Sequence, residues 1–454
     1  MCLSNVYPKR AKIRVFGAYS NFARVARDKR KKLPKSLLSQ GFRELISTVI
    51  SSYLLLISFP VCSLGIYFPT DGKLGIEYAE ANNLIRRKNE QGNQTGGYLD
   101  PEKRNIRTLR LRGEESDGLF MPLSSLKEFC DITALKEGDT VSTLNGIVIC
   151  EKFIPKAKTP RKKSDVPKSK TKFDLKNYYP FFAQHSDTSQ LAYNLSQFKQ
   201  GDKLTLTLKM HGTSQRTAYT LQKTLQTRNI IQRLLKRPIK INHSWNYVSG
   251  TRRTTLTRKS IDDGGYYGDN QFRMKYHELF KGRLRKGEEV FYEVVGYVNP
   301  STTIMATCDN KKINDKEFIK KYGDKTTFTY GCDTGENEIY VYRMTMTNED
   351  GDVVEYPWDL VKIRCEQMGV KHVLELDRFD FTAKEDLMIR ANNFVVGADP
   401  IGETHIREGV VVRVDNKEKF TAYKHKSTDF KILEGIIKET ATEPDIEEVE
   451  EIVN

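Results

Sequence analysis

A series of charged residues interrupts or ends apolar runs along this chain. Lys209 closes LTLTLK and opens KMHGTS, Glu293 lies inside VFYEVVG, and Glu408 opens EGVVVRV. Lys424 and Lys426 alternate in YKHK. A charge set in an apolar strand is costly unless it is paired or bound to an ion. A deprotonated lysine is a nucleophile, a carboxylate holds a divalent metal, and paired lysines stabilise charge that builds on a phosphate. These residue types are what is needed to move a nucleotide from a triphosphate onto a lysine, and from there onto a phosphate end.

The flanking patterns say which elements position them. LTLTLK alternates as a half-buried strand does and delivers Lys209 at its end, where Gly212 lets the backbone turn tightly. An unperturbed lysine has a pKa of about 10.4, so a nucleophilic Lys209 needs desolvation and the nearby charges of Lys424 and Lys426. Period-two alternation puts Lys424 and Lys426 on one face of a strand and His425 on the other. EIYVYRMTM (338–346) sets Tyr340 and Tyr342 on one face in the same way. LQTRNIIQRLLKR (225–237) has near-helical apolar spacing and reads as an amphipathic surface helix.

A chain of 454 residues predicts two or three domains. Its net charge of +15 favours polyanionic partners, because lysine and arginine release counterions from phosphates. The seven cysteines form no C-x-x-C, and the histidines form no pair with zinc-site spacing, which excludes a disulfide framework and a structural zinc. Reduced thiols fit a cytoplasmic protein. LISTVISSYLLLISF (45–59) is long enough to raise the question of a membrane span. Pro60, the scattered serines and the direct run into GIYFPTDG (65–72) argue against one. From 64 to 154 short strands and turns predict a small barrel such as an OB-fold. PKAKTPRKKSDVPKSKTK (155–172) holds eight basic residues, one acid and three prolines, and is a linker.

These segments resemble the motifs of the covalent nucleotidyltransferase superfamily: ATP-dependent DNA ligases, RNA ligases and mRNA-capping guanylyltransferases. Within it, K-x-H-G-T at Lys209 to Thr213 is similar to the RNA-repair ligases, whereas DNA ligases carry K-x-D-G. The resemblance covers about residues 180–435. It implies Lys209 as the nucleophile and His211 beside the phosphates. It places Glu293 on the ribose or metal side of the pocket, and Glu408 on a divalent metal. Lys424 and Lys426 would meet the alpha phosphate. An aromatic of the 338–346 strand would stack on adenine; alignment favours Tyr342, and Tyr340 shares its face. FFAQHSDTSQL (181–191) resembles the segment that leads into the nucleotide site. VSGTRRTTL (248–256) resembles the arginine motif, so Arg252 and Arg253 are the candidates to bind the RNA terminal phosphate; one would contact it and the other would face solvent. Ser214 stands where DNA ligases carry arginine. RGEESDGLFMPL (112–123) resembles the amino-terminal module of one ligase subfamily. Only 28 residues follow Lys426, read as a helix and an acidic tail. That leaves no room for the carboxy-terminal OB domain of DNA ligases and capping enzymes.

The expected fold is α+β: an antiparallel-sheet nucleotidyltransferase (adenylyltransferase) domain preceded by a small OB-like β-barrel. The expected segments are 1–63 without an assigned fold, a barrel at 64–154, a basic linker at 155–176, a catalytic domain at 177–435 and a tail at 436–454. The resemblance implies a phage-type, ATP-dependent RNA ligase that joins 3′-hydroxyl and 5′-phosphate RNA ends through a lysyl-AMP intermediate. Lys209, Gly212, Glu293, Tyr340, Tyr342, Glu408, Lys424 and Lys426 would bind ATP, with Mg2+ or Mn2+ held by Glu293 and Glu408. No obligate protein partner is implied. Two alternatives remain. His211 disfavours a DNA ligase, and the survival of every charged motif position disfavours a non-catalytic RNA-binding protein with a decayed transferase domain.

Overall fold

The computed structural model describes residues 13–17, 64–70, 72–88, 91, 94–111, 114–136, 138–153, 178–182, 185, 187–225, 241–252, 254–256, 267–313 and 315–440. The chain divides into two compact units, Met1–Pro155 and Lys156–Asn454.

The first unit carries a four-stranded antiparallel sheet of β1 (Ile13–Gly17), β2 (Leu64–Pro69), β3 (Gly118–Pro122) and β4 (Thr140–Val141), in the order β3-β2-β1-β4. Short pairs such as Gly72–Leu74 with Cys150–Lys152 flank it. The segment 1–63, which sequence left without a fold, thus supplies β1, whose Gly17 pairs with Leu64. Ile66 and Phe68 of β2 and Leu119 and Met121 of β3 point to one core with Leu74, Tyr78 and Phe129. The expected strands are present, but no closed barrel forms among the described residues.

The second unit holds two larger sheets. The elements that build these sheets and cover them are, in chain order, β5 (Ser189–Gln190), β6 (Lys203–Lys209), β7 (Thr213–Leu225), β8 (Ile241–Thr251), α1 (Gln271–Phe280), β9 (Glu288–Asn299), β10 (Asn337–Thr347), β11 (Val353–Glu355), α2 (Trp358–Met368), β12 (Glu375–Asp380), α3 (Lys384–Val395), β13 (Gly409–Val414), β14 (Ala422–Lys426) and α4 (Thr428–Thr440). One sheet runs β5-β14-β13-β6-β12, antiparallel except where the short β5 lies parallel to β14. The other runs β8-β7-β9-β10-β11, antiparallel throughout. Leu204, Leu206, Val410 and Val412 pack one face of the first sheet against Leu387, Ala391 and Val395 of α3. Tyr292, Val294, Val341 and Met344 of the second sheet pack with Phe280 of α1 and with Trp358 and Val361 of α2.

Residues 225 and 241 face each other across the β7–β8 hairpin. The helix expected over 225–237 falls on 226–240, outside the described residues. The run 45–59, the linker 155–176 and the tail beyond Thr440 also lie outside them.

Candidate active site

The KMHGTS segment is the junction between the two large sheets. β6 ends at Lys209 and β7 begins at Thr213, so Met210, His211 and Gly212 carry the chain from one sheet to the other. The crossing is tight. A Cβ on Gly212 would lie 2.4 Å from the Val294 carbonyl oxygen and 2.9 Å from Cγ of Glu293, a space only glycine fits.

Strand register gathers the lysines. Lys209 pairs with Gly409, and Gly409 pairs with Lys426; one row on, Thr207, Val411 and Lys424 align. Directly paired residues share a face, so Lys209, Lys424 and Lys426 project together. His425 projects the other way and hydrogen-bonds Asn392 of α3 at 2.6 Å.

Glu408 sits at the entrance to β13 and is 2% exposed. Its Oε1 lies 2.8 Å from Lys209 Nζ and 3.2 Å from Lys426 Nζ. Lys426 also donates to both carboxylate oxygens of Glu434 on α4, at 2.9 and 3.0 Å. Burial pushes the Glu408 carboxyl upward, but the charges of Lys209 and Lys426 outweigh it and hold the group below its usual value. Burial and then the like charges of Lys426 and Lys209 bring Lys424 down to about 8.

His211 is buried with its ring edge-on to Phe328 and Phe430, at centroid distances of 4.6 and 4.8 Å. Burial holds its pKa down at about 4, so the imidazole is neutral near pH 7. Its backbone N–H donates to the Tyr330 hydroxyl at 2.6 Å.

The facing sheet contributes a second row. Ser214, Glu293 and Tyr340 align across β7, β9 and β10. Tyr340 is buried in the core, with the Lys371 ammonium 5.8 Å from its ring centre. Tyr342 is partly exposed, and its hydroxyl lies 2.8 Å from Ser214 Oγ and 2.8 Å from His185 Nε2. Arg252 follows β8 directly and donates from Nε to Asp187 Oδ1 at 2.7 Å. Arg253 lies outside the described residues.

Among the described residues, no group of three or more His, Cys, Asp and Glu side chains could hold a metal by itself. Glu408 Oε2 is nevertheless buried without a hydrogen-bond partner. A single buried carboxylate oxygen fits a hard cation that takes its other ligands from phosphate and water, as Mg2+ does.

The sequence of residues 202–432 matches the RNA ligase family, about half of the chain. The chain belongs to the RNA ligase family. No match was found among curated proteins. Among solved structures, the ligase is similar to Naegleria gruberi RNA ligase with PPi, at 16% identity and a TM-score of 0.47, over 82% of this chain and 87% of that one. A lysine-to-alanine variant of the same enzyme with ATP and Mn aligns at 17% identity and a TM-score of 0.46, over 82% and 88%.

Several residues around the ligase site carry no signal in sequence. Glu434 follows Lys426 by one helical stretch and reads as an ordinary surface acid of α4. Tyr330 comes from a loop 119 residues after the backbone it caps. His185 and Asp187 lie within FFAQHSDTSQL, where the family resemblance marks the segment but not the residues that reach the site.

Proposed function

We propose that this RNA ligase uses ATP and seals a 3′-hydroxyl to a 5′-phosphate in RNA. Lys209 Nζ attacks the alpha phosphorus of ATP; the bond to the bridging oxygen breaks and pyrophosphate leaves. AMP then passes from Lys209 to an oxygen of the RNA 5′-phosphate, and the lysine is regenerated. The 3′-hydroxyl attacks the adenylylated phosphate, a phosphodiester forms and AMP leaves. Splitting one hard step into three easier ones is the logic of covalent catalysis.

The observation that carries this reading is the row Lys209–Gly409–Lys426, with Lys424 one step along and Glu408 between the two outer ammonium groups. A nucleophile next to two further lysines suits a reaction in which negative charge grows on one phosphate. Glu408, with Glu293 across the KMHGTS junction, would hold magnesium or manganese. The cation would neutralise phosphate charge and ease the loss of pyrophosphate. The partly exposed Tyr342 suits stacking on adenine better than the buried Tyr340 does. Neutral His211 can donate one hydrogen bond to a phosphate oxygen, and Arg252 and Arg253 would grip the RNA phosphate through bidentate bonds. The first unit would act as an OB-like groove for RNA. The described cysteines are all thiols, which suits the reducing cytoplasm.

The test is incubation with alpha-labelled ATP and magnesium followed by a denaturing gel. Label should stay on the protein and disappear in Lys209→Ala. Labelling that persists in the variant would place the nucleophile elsewhere.

A further inference from the structure

The described side chains around the site form a polar line whose middle members, His185 and Asp187, the reaction scheme does not use. Ser214 Oγ lies 2.8 Å from the Tyr342 hydroxyl, which lies 2.8 Å from His185 Nε2. His185 Nδ1 lies 3.7 Å from Asp187 Oδ1, and the same oxygen accepts from Arg252 Nε at 2.7 Å and from its Nη2. The first contacts are hydrogen bonds; the 3.7 Å step is an electrostatic contact. His185 and Arg252 hold the Asp187 carboxyl far below the usual carboxylate range, so it remains an anion between them.

Buried groups fix the line at its middle and at its Arg252 end. The His185 ring packs edge-on against Phe291 and Tyr342. At the far end, buried Arg216 donates to the Thr251 and Arg252 carbonyls at 2.7 and 3.1 Å, and its guanidinium stacks on Phe182. Arg216 Nε lies 3.2 Å from Glu289 Oε1, and both side chains are almost fully buried. The Arg252 backbone is therefore set by the sheet, while Asp187 holds its guanidinium through Nε and Nη2.

We propose that His185 and Asp187 are positioning residues that couple the adenine end of the site to the RNA phosphate end. This rests on the reading of Tyr342 as the base-stacking residue and Arg252 as a phosphate ligand. Adenine against Tyr342 fixes that ring and its hydroxyl, which fixes His185, which sets Asp187 and with it the Arg252 fork. An arginine fork binds phosphate through two parallel bonds, so its orientation decides its strength. The coupling runs both ways: RNA on Arg252 also steadies the base site.

The experiment uses the full chain and two assays: lysyl-AMP formation with labelled ATP, and binding of a nicked RNA that carries a 5′-phosphate and no AMP. If wild type forms no adduct or does not bind the RNA, the ligase reading itself fails. If wild type performs both, the coupling is tested by Tyr342→Phe, Asp187→Asn and the double variant. Tyr342→Phe keeps the stacking ring and loses only the hydroxyl. We expect it to raise the Kd for the 5′-phosphate RNA by at least about fivefold, the lower range of site-to-site couplings. Asp187→Asn should raise the KM for ATP in adduct formation as well as the Kd for RNA. The double variant should be no worse than the poorer single one, because both cut the same line. Asp187→Glu, which keeps the anion, should restore part of the loss. Purely local residues would behave otherwise: Tyr342→Phe would affect ATP alone, Asp187→Asn would affect RNA alone, and their effects would multiply. That pattern overturns the proposal.

Discussion

Lys209 Nζ, at the end of β6, and Glu408 Oε1, just ahead of the neighbouring β13, stand 2.8 Å apart, with Glu408 buried and the lysine at the rim. The same carboxylate oxygen also meets Lys426. One acid thus holds two of the three lysines of the site in place, and its loss leaves both charges without that partner.

Glu408→Gln keeps the shape and removes the charge. Adduct formation should fall by about a hundredfold or more, as when one group that stabilises transition-state charge is removed. The melting temperature should also drop, because breaking a buried pair leaves uncompensated charge. Adduct formation within a few-fold of wild type would show that the pair is structural only.

The rate should depend on pH through Lys424. Its pKa is brought down to about 8, so the ammonium form that can meet a phosphate is lost as pH rises past that value. Adduct formation at saturating ATP should fall about tenfold per unit above it. Lys424→Arg stays charged and should move the descending limb to higher pH. A limb unchanged in the variant would assign the fall to another group.

Gly212→Ala should damage the site without touching a charged group. Its Cβ would press on the Val294 backbone oxygen, which belongs to a central strand and cannot yield cheaply. We expect a stability loss of about 1–3 kcal/mol. Adduct formation should fall at least about tenfold, since small displacements of reacting groups are expensive. Unfolding in denaturant and the labelling assay measure the two effects separately.

Asp399 offers a test of stability alone. It is fully buried, its Oδ2 has no hydrogen-bond partner, and burial raises its pKa to about 7. Between about pH 4 and pH 7 the folded chain retains a proton that the unfolded chain has released, so this residue lowers stability as pH rises through that window. The ceiling is about 4 kcal/mol, at about 1.4 kcal/mol per unit. Asp399→Asn removes the slope. Its melting temperature relative to wild type should climb from pH 5 to pH 7 and then level off. A difference that stays constant with pH would contradict the assignment.

Local pattern made part of this site legible. Alternation in LTLTLK and YKHK is enough to put Lys209 at a strand end and the two late lysines on one face, because pleat geometry is a property of the strand itself. The same alternation turned His425 to the opposite face, where it meets Asn392. What sequence could not give depends on long-range closure. His185 reaches Tyr342 across 157 residues, and Glu434 returns to Lys426 only because α4 begins right after β14 and folds over the site. β1 was hidden for a related reason: a long stretch of sequence separates it from its partner β2. The strands expected over 64–154 formed, but alternation predicts strands and not whether their sheet closes on itself.

The antiparallel pairing of β1 with β2 has a further consequence, for the length of chain between them. The chain leaves that sheet after Gly17 and re-enters it at Leu64, and these two residues face each other in register. The ends to be joined are thus only about one strand spacing, ~5 Å, apart. A far shorter connection reaches across such a gap, and the entropy of closing a loop grows only slowly with its length. The ladder therefore sets no demand on how much sequence intervenes, and a short turn could join the same two strands.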